Sequence, residues 1–184
     1  MYNIVVPDPK FISFQKLELN DLPLMQKWLN ESHVHEWYDK NEKNTLEEII
    51  KRYGPKISGE KPSDEYLVLY EKEPVGFIQT YKVNDWPEFA DYVGYDDHAA
   101  SVDLFIGDIS FMGKGFGSMM LNKFLKDVVF VNPDITTCII GPEPNNKRAI
   151  RAYEKAGFRY VKTVQIGKEP DPTYIMKLKK EKLL

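Results

Sequence analysis

Apolar and polar residues alternate from Phe11 to Leu19 with the two-residue period of a strand that buries one face. The pattern then changes to helical spacing: Leu22, Met25, Trp28 and Leu29 fall on one stripe, with Asn20 placed as N-cap and the end near Asn30. A second helix is expected from Thr45 through Tyr53. Tyr66 to Tyr70 and Val75 to Val83 are rich in aromatic and β-branched residues and flank Glu71-Lys72-Glu73-Pro74, which predicts an antiparallel hairpin. Asn84 to Ala100 reads as a long polar loop. The strand Val102 to Ile106 leads to Met112-Gly113-Lys114-Gly115-Phe116-Gly117 and then to a helix from Ser118 to Phe130, with Met120, Leu121, Phe124, Leu125 and Val128 as its apolar stripe. Asn132-Pro133-Asp134 stops that helix. Thr136 to Ile140 has the β-branched character of a buried strand, and Pro142 and Pro144 prevent its simple continuation. A last helix is predicted from Asn146 to Ala156 with Gly157 as its C′ residue, followed by strands Phe158 to Ile166 and Thr173 to Leu178. Strands and helices alternate without repeat, linker or low-complexity tract, which predicts one α/β domain over residues 1–184.

The glycine-rich hexapeptide is where this pattern first suggests chemistry. Between a strand and a helix, glycines let the backbone bend tightly and approach a ligand, while the helix start offers unpaired N–H groups and partial positive charge. An anion such as a phosphate or pyrophosphate suits such a loop. The spacing is neither a P-loop, which requires Gly-Lys followed by Ser or Thr, nor the Gly-x-Gly-x-x-Gly of a dinucleotide fold following a first strand. An ordinary strand-to-helix turn is the alternative reading.

Charge and composition narrow the field. A net charge of −3 argues against nucleic acid as the main partner. No apolar run approaches the ~20 residues of a spanning helix, and Asp8 and Lys10 interrupt what would be the core of a signal peptide, so neither a membrane nor secretion is expected and the cytoplasm is. The single cysteine, Cys138, sits beside Ile139 and Ile140; a buried core thiol is favoured over a nucleophile.

Two segments carry a family resemblance. The glycine loop together with Asn146-Lys147-Arg148-Ala149-Ile150-Arg151-Ala152-Tyr153-Glu154-Lys155-Ala156-Gly157-Phe158 resembles the GCN5-related N-acetyltransferases, and within them the aminoglycoside 6′-N-acetyltransferases. Further matching pieces are Trp28-Leu29-Asn30, Ser32-His33-Val34, Glu36-Trp37-Tyr38, Pro74-Val75-Gly76, Gln79-Thr80-Tyr81 and Asp103-Leu104-Phe105-Ile106-Gly107. The resemblance implies a mixed, mostly antiparallel central sheet flanked by helices, with acetyl-CoA held at a splayed strand pair. It implies that backbone around Phe105 and Ile106 meets the pantetheine arm, that Gly113, Lys114, Gly115, Phe116, Gly117 and Ser118 form the pyrophosphate site, and that Asn146 contacts the cofactor. Asn146 as a plain N-cap is the alternative. The chain departs from the family in having Met112 where Gln or Arg is usual, Gly141-Pro142 where the aminoglycoside enzymes tend to carry Asp-Pro, and Leu104 within a segment that favours Asp-Gln-Phe.

Amine acetylation needs a free nitrogen lone pair, so a cationic acceptor must lose a proton. A carboxylate near the acceptor can attract the cation and take that proton directly or through water. Asp103, on the strand ahead of the glycine loop, is the candidate; a solvated strand-edge carboxylate is the alternative. Tyr153 is the candidate acid or hydrogen-bond donor for the departing thiolate, although its helical position would also suit a core aromatic. Trp37, Tyr38, Gln79, Tyr81 and Asp103 are expected on the acceptor side. Asp85, Glu88, Asp91, Asp96, Asp97, Asp103 and Asp108 occur in a stretch lacking Lys and Arg, which would attract a polycation or else form a solvated loop. Trp86, Tyr92 and Tyr95 could add flat walls for an acceptor. His33, His35 and His98 show no metal-ligand spacing, so no metal is expected. The expected activity is transfer of acetyl from acetyl-CoA to a primary amine of a cationic small molecule, foremost the 6′-amine of an aminoglycoside, with resistance as the associated role. Alternatives are another amine, such as a siderophore precursor, polyamine or protein N-terminus, and a CoA-binding sensor without catalysis. A monomer or homodimer fits either case.

Overall fold

A computed structural model describes residues 7–38, 40, 44–167 and 170–183. The extreme N-terminus, and part of the turn expected between the last two strands, lie outside these residues. The chain runs β1 (Ile12–Lys16), α1 (Leu22–Leu29), α2 (Ser32–His35), α3 (Leu46–Ile57), β2 (Asp64–Tyr70), β3 (Glu73–Lys82), α4 (Pro87–Val93), β4 (Ala99–Ile106), α5 (Phe116–Phe124), β5 (Thr137–Ile140), α6 (Lys147–Lys155), β6 (Arg159–Val164) and β7 (Thr173–Lys179). The strands form one seven-stranded sheet in the order β1-β2-β3-β4-β5-β7-β6. Every neighbouring pair is antiparallel except β4 with β5. This is the mixed, mostly antiparallel α/β architecture that the resemblance implied.

Local chemistry explains the main elements. Thr45 and Glu48 cap α3 reciprocally: the Thr45 hydroxyl accepts from the Glu48 N–H at 3.3 Å, and the Glu48 carboxylate accepts from the Thr45 N–H at 2.8 Å. The hairpin closes on Glu71 and Lys72, both at positive φ, the backbone twist that suits a tight connection between right-twisted strands. Pro74 is therefore inside β3, where a register shift opposite Val68 and Leu69 accommodates a residue without an N–H.

Several boundaries differ from the sequence expectation. Asn20 does not cap α1; it lies in a short 3-10 turn, Leu19–Asp21, where the Asp21 carboxylate accepts from the Glu18 N–H at 2.9 Å. The stretch expected as one loop, Asn84 to Ala100, contains α4 and its start of β4, because Pro87 opens a helix that buries Ala90 and Val93. The helix after the glycine loop begins at Phe116, two residues early, and ends in a widened π-helical turn, Leu125–Val129.

The sheet separates two cores. On one face, Trp28, Leu29, Ile49 and Tyr53 from the first helices pack on Leu67, Phe77 and Phe105. On the other, Phe116, Met120, Leu121 and Phe124 of α5 and Ile150 and Tyr153 of α6 pack on Ile78, Val102 and Ile140. Phe77 and Phe105 stack across β3 and β4 with centroids 5.3 Å apart. The end of β4 is clamped by small residues: a Cβ on Gly107 would meet the Trp28 ring at 2.3 Å, and one on Gly76 the Phe105 carbonyl oxygen at 2.6 Å. Because neither a packed indole nor strand backbone can yield cheaply, Gly107→Ala should destabilise the protein by about 1–3 kcal/mol in urea unfolding. An unchanged midpoint would show that Trp28 can move aside.

Candidate active site

The parallel pair β4 and β5 meets over only three positions, Ala99 with Thr137, Ala100 with Cys138 and Ser101 with Ile139. Beyond Ser101, β4 runs on to Ile106 beside β3, while β5 ends at Ile140 and passes into Gly141-Pro142. The proline lacks a donor and the two strands diverge. Between them opens a cleft of about 1400 Å³ lined by Val102 to Ile106 on one side and Ile140 to Pro142 on the other.

One half of the cleft is built to face an anion. Gly113 and Gly115 both have φ of +77°, a left-handed backbone conformation that favours glycine, and space for a ligand lies above them: a Cβ at either position would meet nothing within 4 Å. The loop feeds the N-terminus of α5, and the Ser118 hydroxyl donates back to the Gly115 carbonyl at 2.9 Å. Lys147, Arg148, Arg151 and Lys155 of α6 line the same cleft. Arg148 Nη1 donates to Met112 Sδ at 3.8 Å, so a guanidinium stands near the position whose own side chain is apolar. Left-handed glycines, a helix start and basic side chains together fit a phosphate-bearing ligand. His33 Nε2 donates to the Ile106 carbonyl at 3.0 Å, closing the cleft edge of β4.

The other half centres on Asp103. Gln79 Nε2 donates to its Oδ2 at 2.7 Å across the β3–β4 pair. Burial pushes the Asp103 carboxyl above the usual carboxylate range, while the Gln79 hydrogen bond, the Lys56 charge and the Tyr81 phenol pull it back. Trp37, Tyr38, Tyr53 and Arg52 also line this region. Tyr38 packs edge-on against Phe105 with centroids 4.9 Å apart. At the rim, Lys40 Nζ lies 2.7 Å from Glu143 Oε1 and 2.6 Å from Asp171 Oδ2, tying three connecting segments together. Tyr153 also lines the cleft, its phenol held protonated by burial first and then by the charge on Asp103.

Most residues singled out from sequence converge here: Trp37, Tyr38, Gln79, Asp103, Phe105, Ile106, Gly113, Gly115, Phe116, Gly117, Ser118, Asn146 and Tyr153 all border the cleft. The Phe116 ring itself is fully buried against Phe111, with centroids 4.8 Å apart. The Asn146 side chain acts as the N-cap of α6, accepting from the Ala149 N–H at 3.0 Å. Others are placed differently. Lys114 lines a separate depression with Tyr70, Glu73 and Asp108. Tyr81 reaches Asp103 from behind and packs on Trp86 and Phe89 instead of bordering the cleft. Asp85, Glu88, Asp91, Asp96 and Asp97, with Trp86, Tyr92 and Tyr95, also lie away from it. Several of these make local bonds, such as Tyr95 to Asp91 at 3.0 Å and the His98 N–H to Asp96 at 2.9 Å. Their acidity belongs to α4 and its flanking turns. Cys138 is fully buried and its thiol is pushed up by burial, so it is core.

Lys56, Arg52, His33 and the basic residues of α6 were not foreseen. A signal existed for the last group: positions 147, 148, 151 and 155 share one helical face, opposite the buried Ile150 and Tyr153. Among the described residues, no three His, Cys, Asp or Glu side chains gather as a metal-binding group, and no helix is long and apolar enough to cross a membrane.

A seven-stranded mixed sheet split between two parallel strands, with a glycine loop and helix start in the split, defines an acyltransferase architecture. Residues 18–166 match the model of the acetyltransferase (GNAT) domain, and the chain belongs to the GCN5-related N-acetyltransferase family. It is 30% identical over 168 residues to the aminoglycoside N(6′)-acetyltransferase type 1 of Klebsiella pneumoniae, covering 89% of this chain and 81% of that one. AAC(6')-Ib, solved with ribostamycin and coenzyme A, superposes with a TM-score of 0.81 at 28% identity over 92% of this chain and 94% of its own. The spermidine N-acetyltransferase of Vibrio cholerae shares the fold at a TM-score of 0.74 and 17% identity, covering 94% of this chain and 98% of that one.

The raised carboxyl of Asp103 has a consequence for stability. In the pH window between its unfolded and folded ionisation, the unfolded chain loses the proton first, so stability falls as pH rises and the penalty stays in full above the folded value. Asp103→Asn keeps an oxygen to accept from Gln79 and removes that penalty. The variant should melt above the parent at about pH 8, with the difference shrinking towards about pH 3, where both forms are neutral. A lower melting temperature at both pH values would contradict it.

Proposed function

We propose that this protein transfers the acetyl group of acetyl-CoA to a primary amine of a cationic small molecule, foremost the 6′-amine of an aminoglycoside. The observation that carries this reading is the position of Asp103 in the same cleft as the left-handed glycines and the start of α5. The relatives named as aminoglycoside 6′-acetyltransferases support it, as do the structures of AAC(6')-Ib with acetyl-CoA and with coenzyme A and kanamycin.

In this reading the glycine loop, the first N–H groups of α5 and the basic face of α6 hold the pyrophosphate and adenosine phosphate. The diverging edge of β4 takes the pantetheine arm, which brings the thioester between the strands. Asp103 draws in the acceptor ammonium and takes its proton, directly or through one water. The freed nitrogen attacks the thioester carbonyl carbon, forming the C–N bond as the C–S bond breaks. Tyr153 gives its phenolic proton to the leaving sulfur and is reprotonated by the second proton that the nitrogen sheds on acylation, passed through water, while the first, taken by Asp103, returns to solvent. A phenol pushed towards its neutral form suits that role. Trp37 and Tyr38 offer apolar surface beside the acceptor.

One observation favours a second reading. Apart from Asp103, the acidic stretch that would attract a polycation stands away from the cleft, Glu143 and Asp171 at the rim are paired with Lys40, Arg52 and Lys56 line the same cleft, and Gly141 supplies no carboxylate. That arrangement suits an amine with fewer ammonium groups, such as a hydroxylysine-type siderophore precursor.

Thiol release from acetyl-CoA, measured with kanamycin, ribostamycin, a hydroxylysine derivative and spermidine, separates these readings. Transfer to kanamycin or ribostamycin is the expected result, and activity confined to the other amines overturns the drug as substrate. With the accepted amine, Asp103→Asn should lower kcat/KM by about 10²–10⁴-fold and Tyr153→Phe by about 10-fold or more, while coenzyme A still binds. Full activity in both variants removes their assigned roles. Coenzyme A binding without transfer to any amine identifies a sensor.

A further inference from the structure

Behind Asp103 lies a polar relay that the proposed chemistry does not use. Lys56, in the last turn of α3, donates from Nζ to Gln79 Oε1 at 2.9 Å, and Gln79 passes its amide hydrogen to Asp103 Oδ2 at 2.7 Å. On its far side the Lys56 ammonium lies 3.5 Å from Glu65 Oε1, and the Ser63 hydroxyl donates to that same carboxylate. The relay is well enclosed: Gln79 is 8% exposed, Glu65 3%, and the Lys56 side chain 13%.

The chemistry of its two ends fixes the middle. An ammonium has only donors and an ionised carboxylate only acceptors, so one orientation of the Gln79 amide satisfies both, oxygen towards Lys56 and nitrogen towards Asp103. Turning the amide over would set Nε2 against the ammonium and Oε1 against the carboxylate. Glu65 in turn holds the ammonium in place from its far side by charge.

We infer that Lys56 is a positioning residue that, through Gln79 and its own charge, holds Asp103 as an oriented, ionised carboxylate ready for the acceptor amine. The groups facing Asp103 from the surrounding elements are Lys56 of α3, Gln79 and Tyr81 of β3, Tyr38 after α2, Cys138 of β5 and Tyr153 of α6. Of these Lys56 is the cation, and Arg52, one turn earlier on α3, lines the same cleft. The remaining neighbours are the Gln79 amide and phenols and a thiol that burial keeps neutral, so they offer hydrogen bonds but no compensating charge.

The inference rests on Asp103 being the base, and two readouts keep the ideas separate. The first needs no activity: the carboxyl-carbon NMR titration of Asp103, assigned by its loss in Asp103→Asn, should move to higher pH in Lys56→Met and return in Lys56→Arg. The second is the pH profile of kcat/KM with one fixed acceptor, so that the amine's own titration is common to all variants. Lys56→Met should lose about tenfold at about pH 6 but less than threefold at about pH 9, because removing the positive charge shifts the acid limb upward. Lys56→Arg should restore most of the loss. Lys56→Met with Glu65→Gln removes both charges together and serves where the single change strands a buried carboxylate and impairs folding. An Asp103 titration that does not move in either variant, or a loss equal at every pH, overturns the proposal. A shifted titration in a protein whose Asp103→Asn variant stays fully active leaves the coupling standing and removes Asp103 as base.

Discussion

Everything functional in this molecule follows from a sheet whose parallel pair comes apart. Three residues of β4 pair with β5, and then Gly141-Pro142 leads one strand away while β3 keeps hold of the other to its end at Ile106. A parallel ladder ordinarily seals its backbone groups, and here half of a strand edge is left for something else to satisfy. Two cores stand on opposite faces of the sheet and brace the divergence. The Phe77 and Phe105 stack anchors β4 against the first helices, while Tyr153 and Phe158 anchor α6 and the strand after it on the other side.

The two faces also deliver different chemistry to the opening. From the α5 and α6 side come backbone N–H groups, left-handed glycines and a basic helical face, all suited to phosphate. From the α3 side come aromatic rings and the carboxylate of Asp103. The division keeps the residues suited to phosphate apart from those around the carboxylate within one cleft. Asp103 and Tyr153 belong to different cores, yet the charge on Asp103 reaches the Tyr153 phenol across the cleft. That coupling favours a protonated phenol whenever the carboxylate is ionised.

The sequence made the order of elements and the two ends of the cleft legible because both are local signals. Gly113 and Gly115 mark backbone turns, and the Asn146 to Phe158 segment carries a cap, an apolar stripe and a C′ glycine. Asp103 was readable through its place on a strand before the loop. The acidic stretch left two readings open because charge counted along a chain says nothing about direction: Asp91 and Asp96 serve α4 and the turn after it, and Pro87, read within a loop, opens a helix. Lys56 was invisible for a different reason. Its partners Glu65, Gln79 and Asp103 lie 9, 23 and 47 positions away and come together only once the sheet and α3 are assembled.

That assembled relay also bears on why a carboxylate can be tolerated there at all. The apolar wall of Phe77, Phe105 and Tyr53 beside Asp103 makes its ionisation unfavourable. A cation in direct contact would neutralise Asp103 outright by pairing. Placing Lys56 one amide away, with Glu65 behind it, offsets the desolvation only in part. Asp103 feels the charge, but its nearest donor is a neutral amide, so the Lys56 ammonium acts on it from one side chain away.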